Sequence, residues 1–122
     1  MEEIIRRYIQ AYNEFDIGAM LTVLHPEIRF QNVSNGVVNT HTAGRADFEA
    51  LARQSASLFS TRHQSVRSLR RAGDAVIAEI DFVAVPAVDT PFGLKAGEKI
   101  ELQGSTEFLF QDGLILSIVD RS

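Results

Sequence analysis

Tyr8 and Tyr12, one helical turn apart, together with Asn32, His41 and Thr106, are the residues here whose types and spacing could do chemistry. A sheltered phenol can donate a hydrogen bond to an oxygen on which negative charge develops. His41 titrates near neutrality and suits acid–base work; it lies in NTHTAG, at the entry to a predicted helix. Asn32 and Thr106 bring an amide and a hydroxyl onto apolar strand faces, where each can orient a ligand oxygen. Each also has a purely structural role open to it. The tyrosines are then core aromatics, Thr106 a β-branched strand residue satisfied locally, Asn32 a residue leaving its strand for a turn, and His41 a solvated loop histidine.

Other chemistries drop out quickly. The sequence has no cysteine, which removes disulfides, thiolate nucleophiles and thiolate metal sites. His25, His41 and His63 are widely spaced and form no H-x-x-x-H pattern, so no metal site is expected. The nucleophile elbow, the P-loop and the dinucleotide fingerprint are all absent, and no cofactor is expected. A net charge of -4 argues against nucleic acid and anionic membranes as partners. Arg62, Arg67, Arg70 and Arg71 do lie close together beside His63, but along a strand they divide between its two faces. No window approaches the roughly 18 uninterrupted apolar residues of a membrane span. MEEIIRRYIQAYNEFD opens with acids and lacks the apolar core of a signal peptide, so a cytoplasmic protein is expected.

The elements that must position these residues follow from periodicity. With 122 residues and 45% of them hydrophobic, the chain is expected to form one domain over 1–122 with a core of its own. Ile4, Ile5, Tyr8, Ile9, Tyr12 and Phe15 form one apolar stripe, predicting a helix over 2–15. Asp16 is the expected N-cap of a second, short helix that His25-Pro26 ends. PEIRFQNVSNG then reads as a strand, with Ile28, Phe30 and Asn32 on one face, followed by a turn at SNG and a short extended piece, VVNTH. A third helix is expected over 44–59, with Phe48, Leu51 and Ala52 inward. Long strands are expected over 63–71, 74–86, 99–111 and 113–120. AGD and QDG read as hairpin turns and PAVDTPFGLKAG as a longer connection.

Helices first and an antiparallel run of strands last predicts an α+β domain. Its strongly curved antiparallel sheet wraps three helices and leaves a conical pocket at the open end. In KIELQGSTEFLF, Thr106 is the one hydroxyl on an otherwise apolar face with Ile100, Leu102 and Phe108. In AVIAEIDFVAV, Phe82 shares a face with Val76 and Ile80. The opposite face of that strand mixes Ile77, Val83 and Val85 with Glu79 and Asp81, which predicts packing against a second subunit in a homodimer.

Three stretches taken in order resemble the nuclear transport factor 2-like superfamily of SnoaL-like polyketide cyclases and ketosteroid isomerases. They are IIRRYIQAYNEFDIGAMLTVLHPEIRF, TAGRADFEAL and PFGLKAGEKIELQGSTEFLFQDGLILSI. The resemblance implies a cystatin-like, ketosteroid-isomerase-like fold, and it assigns the oxyanion-hole tyrosine to Tyr8. Where the isomerases carry an aspartate base on the strand before the turn, this chain has Asn32 or its neighbour Gln31. Where isomerases and cyclases carry an aspartic acid on the next-to-last strand, it has Thr106. An amide has no usable basicity near neutrality, and threonine donates a hydrogen bond without supplying an acid's proton. Tyr8 and Thr106 would then form a weak oxyanion-binding pair with no base opposite, unless His41 or an unplaced acid serves.

Three functions stay open. The first is a small-molecule-binding protein lacking the usual catalytic carboxylates, with a pocket lined by Tyr8, Tyr12, Phe30, Asn32, Phe82, Thr106 and Phe108 for an apolar ligand bearing one or two oxygens. The second is an isomerase, cyclase or lyase on a polyketide- or steroid-like substrate, with Tyr8 and His41 as catalytic candidates. The third is a protein-interaction module.

Overall fold

The computed structural model describes residues 1–91 and 93–122. Its elements run α1 (Glu2–Asn13), α2 (Ile17–Thr22), β1 (Leu24–Ser34), β2 (Val37–Ala43), α3 (Arg45–Ser57), β3 (Phe59–Ala72), β4 (Ala75–Pro86), β5 (Ile100–Gln111) and β6 (Leu114–Arg121). The six strands form one sheet in the order β2-β1-β6-β5-β4-β3, so this is the expected α+β architecture of three helices against a curled sheet. Of the connection PAVDTPFGLKAG, Phe92 lies outside the described residues.

One pairing departs from the antiparallel expectation. β1 runs parallel to β6, which makes the sheet mixed. The hairpins β1–β2, β3–β4 and β5–β6 and the long β4–β5 connection each reverse the chain, but β1 and β6 meet across the middle of the sheet and happen to point the same way. Two of the predicted turns have a common geometry. Asn35 and Gly36, and likewise Asp112 and Gly113, all take positive φ, as a two-residue turn matched to the strand twist requires.

α1 buries Ile5, Tyr8 and Ile9 of the expected stripe together with Ala11, leaves Ile4 and Tyr12 half-buried, and stops at Asn13. Phe15 takes a φ of 58°, which breaks the helix, and the Asp16 side chain then accepts the Ala19 N–H at 3.0 Å to cap α2. β1 starts earlier than expected, at Leu24, because His25 and Pro26 already belong to the strand. The start of α3 is tied to β1 by Arg45, whose guanidinium donates to the Leu24 carbonyl.

α1 is fastened to the sheet through β3, its outermost strand. The Asn13 side-chain amide donates to the Gln64 carbonyl at 3.0 Å and accepts the Gln64 N–H at 2.7 Å, acting as one residue of a further strand. Beside it, Arg62 Nε donates to the Tyr12 carbonyl at 3.0 Å, in the last turn of α1, where no basic residue of the helix itself serves. Its guanidinium lies 3.8 Å from the centroid of the Tyr12 ring and 4.4 Å from that of Phe15.

A close approach occurs between β5 and the end of β6. A Cβ on Gly104 would sit 2.4 Å from the Arg121 carbonyl oxygen, a backbone atom with little room to yield. Gly104→Ala is therefore expected to lower unfolding free energy by about 1–3 kcal/mol in urea denaturation, the usual cost of overpacking. An unchanged midpoint would mean that the β6 end relaxes freely. Asn13→Ala should cost a similar amount, about 1–3 kcal/mol, by leaving the Gln64 backbone groups without partners.

Candidate functional site

Strand register places the interior side chains in rows, because residues opposite one another share a face of the sheet. The innermost row is Val76, Phe108, Ile118, Phe30 and Thr42, and within it Phe108 is 0% exposed. The next row toward the open end is Ala78, Thr106, Asp120, Asn32 and Thr40. Beyond it come Ile80 with Gly104, then Gln64, Phe82 and Leu102, and last Arg62, Ala84 and Ile100. Leu102 is 52% exposed although it lies on the interior face, which marks the open rim. A polar row thus separates a packed floor from a mouth where Phe82, Leu102 and Ile100 stand beside Gln64 and Arg62.

The carboxylate in that row is Asp120, on β6 between Thr106 and Asn32. These are the two positions at which the sequence had shown neutral residues in place of acids. Thr106 Oγ1 donates to Asp120 Oδ1 at 2.7 Å. That bond corrects the expected pairing of Tyr8 with Thr106, since the threonine proton is already given to the carboxylate. Burial pushes the Asp120 carboxyl up to about 6, against the opposing pull of the Thr106 hydrogen bond. Burial also holds the Tyr8 phenol well above its ordinary value, and the neighbouring Asp120 charge adds to the rise. Tyr12 is raised chiefly by burial and pulled back down by Arg62. Both tyrosines therefore remain protonated donors near neutrality while Asp120 changes charge just below it.

The sequence candidates fall into separate groups. Tyr8 packs on Phe108 with ring centroids 6.1 Å apart and on Phe48 at 6.5 Å, and Phe30 meets Phe48 at 5.8 Å, so these rings build the floor. Tyr12 meets Phe82 at 6.4 Å and Phe82 meets Phe59 at 6.3 Å, nearer the rim. Asn32 is in the polar row by register, but its amide nitrogen donates to Asn39 Oδ1 at 3.0 Å, within the β1–β2 hairpin. His41 is not brought to this site. It is exposed on β2, the expected extended piece, in one row with Gln31 and Val119 on the outer face, because alternate residues of a strand point away from the interior.

Two residues at the site were not singled out as site residues from the sequence, Asp120 and Arg62. Ile118 and Asp120 are two apart and share a face, which was the available signal. Arg62 sits just before the residues first read as β3 and is 4% exposed. Two hollows of the surface lie elsewhere. One, of about 460 Å³, lies between α1 and β3 beside Arg6, Gln10 and His63; the other, of about 360 Å³, is on the outer face around Arg67, Glu79 and Arg121. Among the described residues no group of three or more His, Cys, Asp or Glu is arranged to hold a metal, and no helix is long and apolar enough to cross a membrane.

Comparison with known families gives a match to the SnoaL-like domain over residues 5–118. The chain belongs to the SnoaL-like domain family. No curated protein matches its sequence. Among solved structures, this SnoaL-like protein is similar to TsrD from Streptomyces laurentii, with 24% identity and a TM-score of 0.78 over 98% of this chain and 84% of that one. A candidate polyketide cyclase from Xanthomonas campestris pv. campestris shares 22% identity with a TM-score of 0.78, covering 99% and 88% of the two chains. A protein from Catenulispora acidiphila with a ketosteroid isomerase-like fold, bound to trimethylamine, shares 17% identity with a TM-score of 0.78 over 97% and 83%. At these identities the likeness establishes the fold alone.

The Asp120 environment yields a stability prediction. The folded carboxyl titrates near 6 and an ordinary aspartate near 3.8, so as pH rises the unfolded chain releases this proton first. Unfolding free energy should then fall between about pH 4 and pH 6, and above that range the penalty is constant. Asp120→Asn keeps an acceptor for Thr106 and removes the charge. The variant should be more stable at pH 7 by about 1–3 kcal/mol, and it should lack this part of the pH dependence. Urea denaturation across the pH range and a carbon-detected titration of Asp120 would check both; a wild-type carboxyl titrating near 4 would overturn the assignment.

Proposed function

We propose that this SnoaL-like protein takes an apolar small molecule bearing one or two oxygens into the open end of its sheet and moves a proton on it. The reaction class is isomerisation or cyclisation next to a carbonyl. The observation that carries this reading is the Asp120 carboxylate, half-buried on the interior face, held by Thr106 at 2.7 Å and titrating near 6 beside a protonated Tyr8. A base of that strength is mostly ionised at pH 7 yet binds a proton far better than an ordinary carboxylate. Asp120 takes a proton from the carbon beside the carbonyl, the electron pair moves onto the carbonyl oxygen, and the Tyr8 phenol stabilises that oxygen by hydrogen bonding. The protonated Asp120 then returns the proton at another carbon. Thr106 positions the carboxylate, and the apolar mouth formed by Phe82 and Leu102 receives the body of the substrate.

The test is deuterium exchange into 2-tetralone in D₂O, followed by proton NMR. Exchange should exceed the buffer rate and rise with pH around an apparent pKa near 6. Asp120→Asn should reduce it by about 10²–10⁴-fold and Tyr8→Phe by about 10²–10³-fold. If 2-tetralone binds and no exchange occurs, the site is a binding site without turnover.

A protein-interaction reading has one observation in its favour: the floor is filled by the packed rings of Tyr8, Phe48 and Phe108. Failure of 2-tetralone to bind would favour it. The outer sheet face, where Val83 is 37% exposed among the Arg67–Asp81 and Arg121–Glu107 ion pairs, supports a homodimer through that face. Sedimentation should give a dimer that Val83→Asp dissociates, whereas a monomer at every concentration would overturn it.

A further inference from the structure

Arg62 is a buried cation in the rows above, and its surroundings leave part of its charge unanswered. It lies in the rim row opposite Ala84, with only 4% of its surface exposed. Nε is used on the Tyr12 carbonyl, and the flat faces of the guanidinium lie against Tyr12 and Phe15. Nη2 is buried with no hydrogen-bond partner, and among the described residues no carboxylate comes within 4.0 Å of the side chain. Buried guanidinium groups are ordinarily paired with carboxylate or phosphate, because desolvating an unpaired charge is costly. A helix-terminal carbonyl and two ring faces offset part of that cost without supplying an anion. The charge is felt by both Tyr8 and Tyr12, so it reaches the same interior as the polar row.

We infer that Arg62 is the anion-binding end of the ligand site, so that the molecule taken in is an organic acid whose carboxylate meets Nη2 while its carbonyl end lies toward Tyr8 and Asp120. This rests on the proposed ligand site and names the class of its substrate. It also separates the ends of the site: the cation holds the acid at the rim, and Asp120, with a like charge to the ligand, acts at the far end. Arginine suits this task better than lysine, because its remaining fork nitrogen keeps its direction when the other nitrogens are engaged.

The experiment compares 2-naphthoate with its neutral analogue 2-acetonaphthone by calorimetry and amide-resolved NMR titration. Wild-type protein should bind the carboxylate at least about tenfold more tightly, a difference of the size one charge-assisted hydrogen bond supplies. The preference should shrink with added salt. Arg62→Gln should abolish the preference, and Arg62→Lys should restore part of it. Because the wild-type comparison needs no variant, it holds even where Arg62→Gln unfolds the chain. Equal affinities, or binding of the neutral compound alone, would overturn the anion site and leave the ligand site standing. Binding of neither compound would overturn both.

Discussion

The fastening of α1 to β3 is the constraint on which the rest of the structure depends. A helix laid against a curled sheet has many positions of similar hydrophobic energy, since apolar burial is not directional. Asn13 removes that freedom by entering the hydrogen-bond ladder of the outermost strand at Gln64, and Arg62 fixes the last turn from the same strand. With the helix so held, Tyr8 reaches the floor against Phe108 while Tyr12 stays near the rim against Phe82. Polar contacts at the edge therefore decide where aromatic groups stand at the centre.

The interior is graded. Apolar residues close the floor, a polar row follows, and partly exposed apolar side chains form the rim. A carboxylate in such a row is neither free in water nor fully compensated, and that raises its proton affinity into a useful range. The same sheltering that tunes Asp120 weighs against folding, a local loss borne by the apolar floor beneath it.

Much of the fold was legible in the sequence, because it rests on local patterns. The stripe of α1, the Asp16 cap and the SNG and QDG turns were each visible in a few neighbouring residues. Parity also put Thr106 and Phe108 on the interior face. Asp120 was hidden by a register shift opposite Leu109 and Phe110, which lets both Ile115 and Ile118 turn inward. Strict alternation from Ile115 would send Asp120 outward; only counting from Ile118 brings it in. Arg62 was hidden by a boundary, since β3 begins at Phe59 and not after Arg62. His41 misled because the extended piece VVNTH turns it to the outer face of the sheet, opposite Gln31. The parallel meeting of β1 and β6 depends on the whole chain, and no short window contains it.

That parallel meeting has a consequence for how the molecule forms. Asn32 is on the first strand and Asp120 on the last, so the polar row closes only when the far end of the sequence docks between β1 and β5. Without β6 the sheet would be two pieces, one the β1–β2 hairpin and the other β3–β4–β5. Contacts so distant in sequence are slow to form, because loop closure precedes any gain from pairing. Joining the two halves of the sheet and creating the carboxylate's environment therefore rest on the same pairings of β6 with β1 and β5.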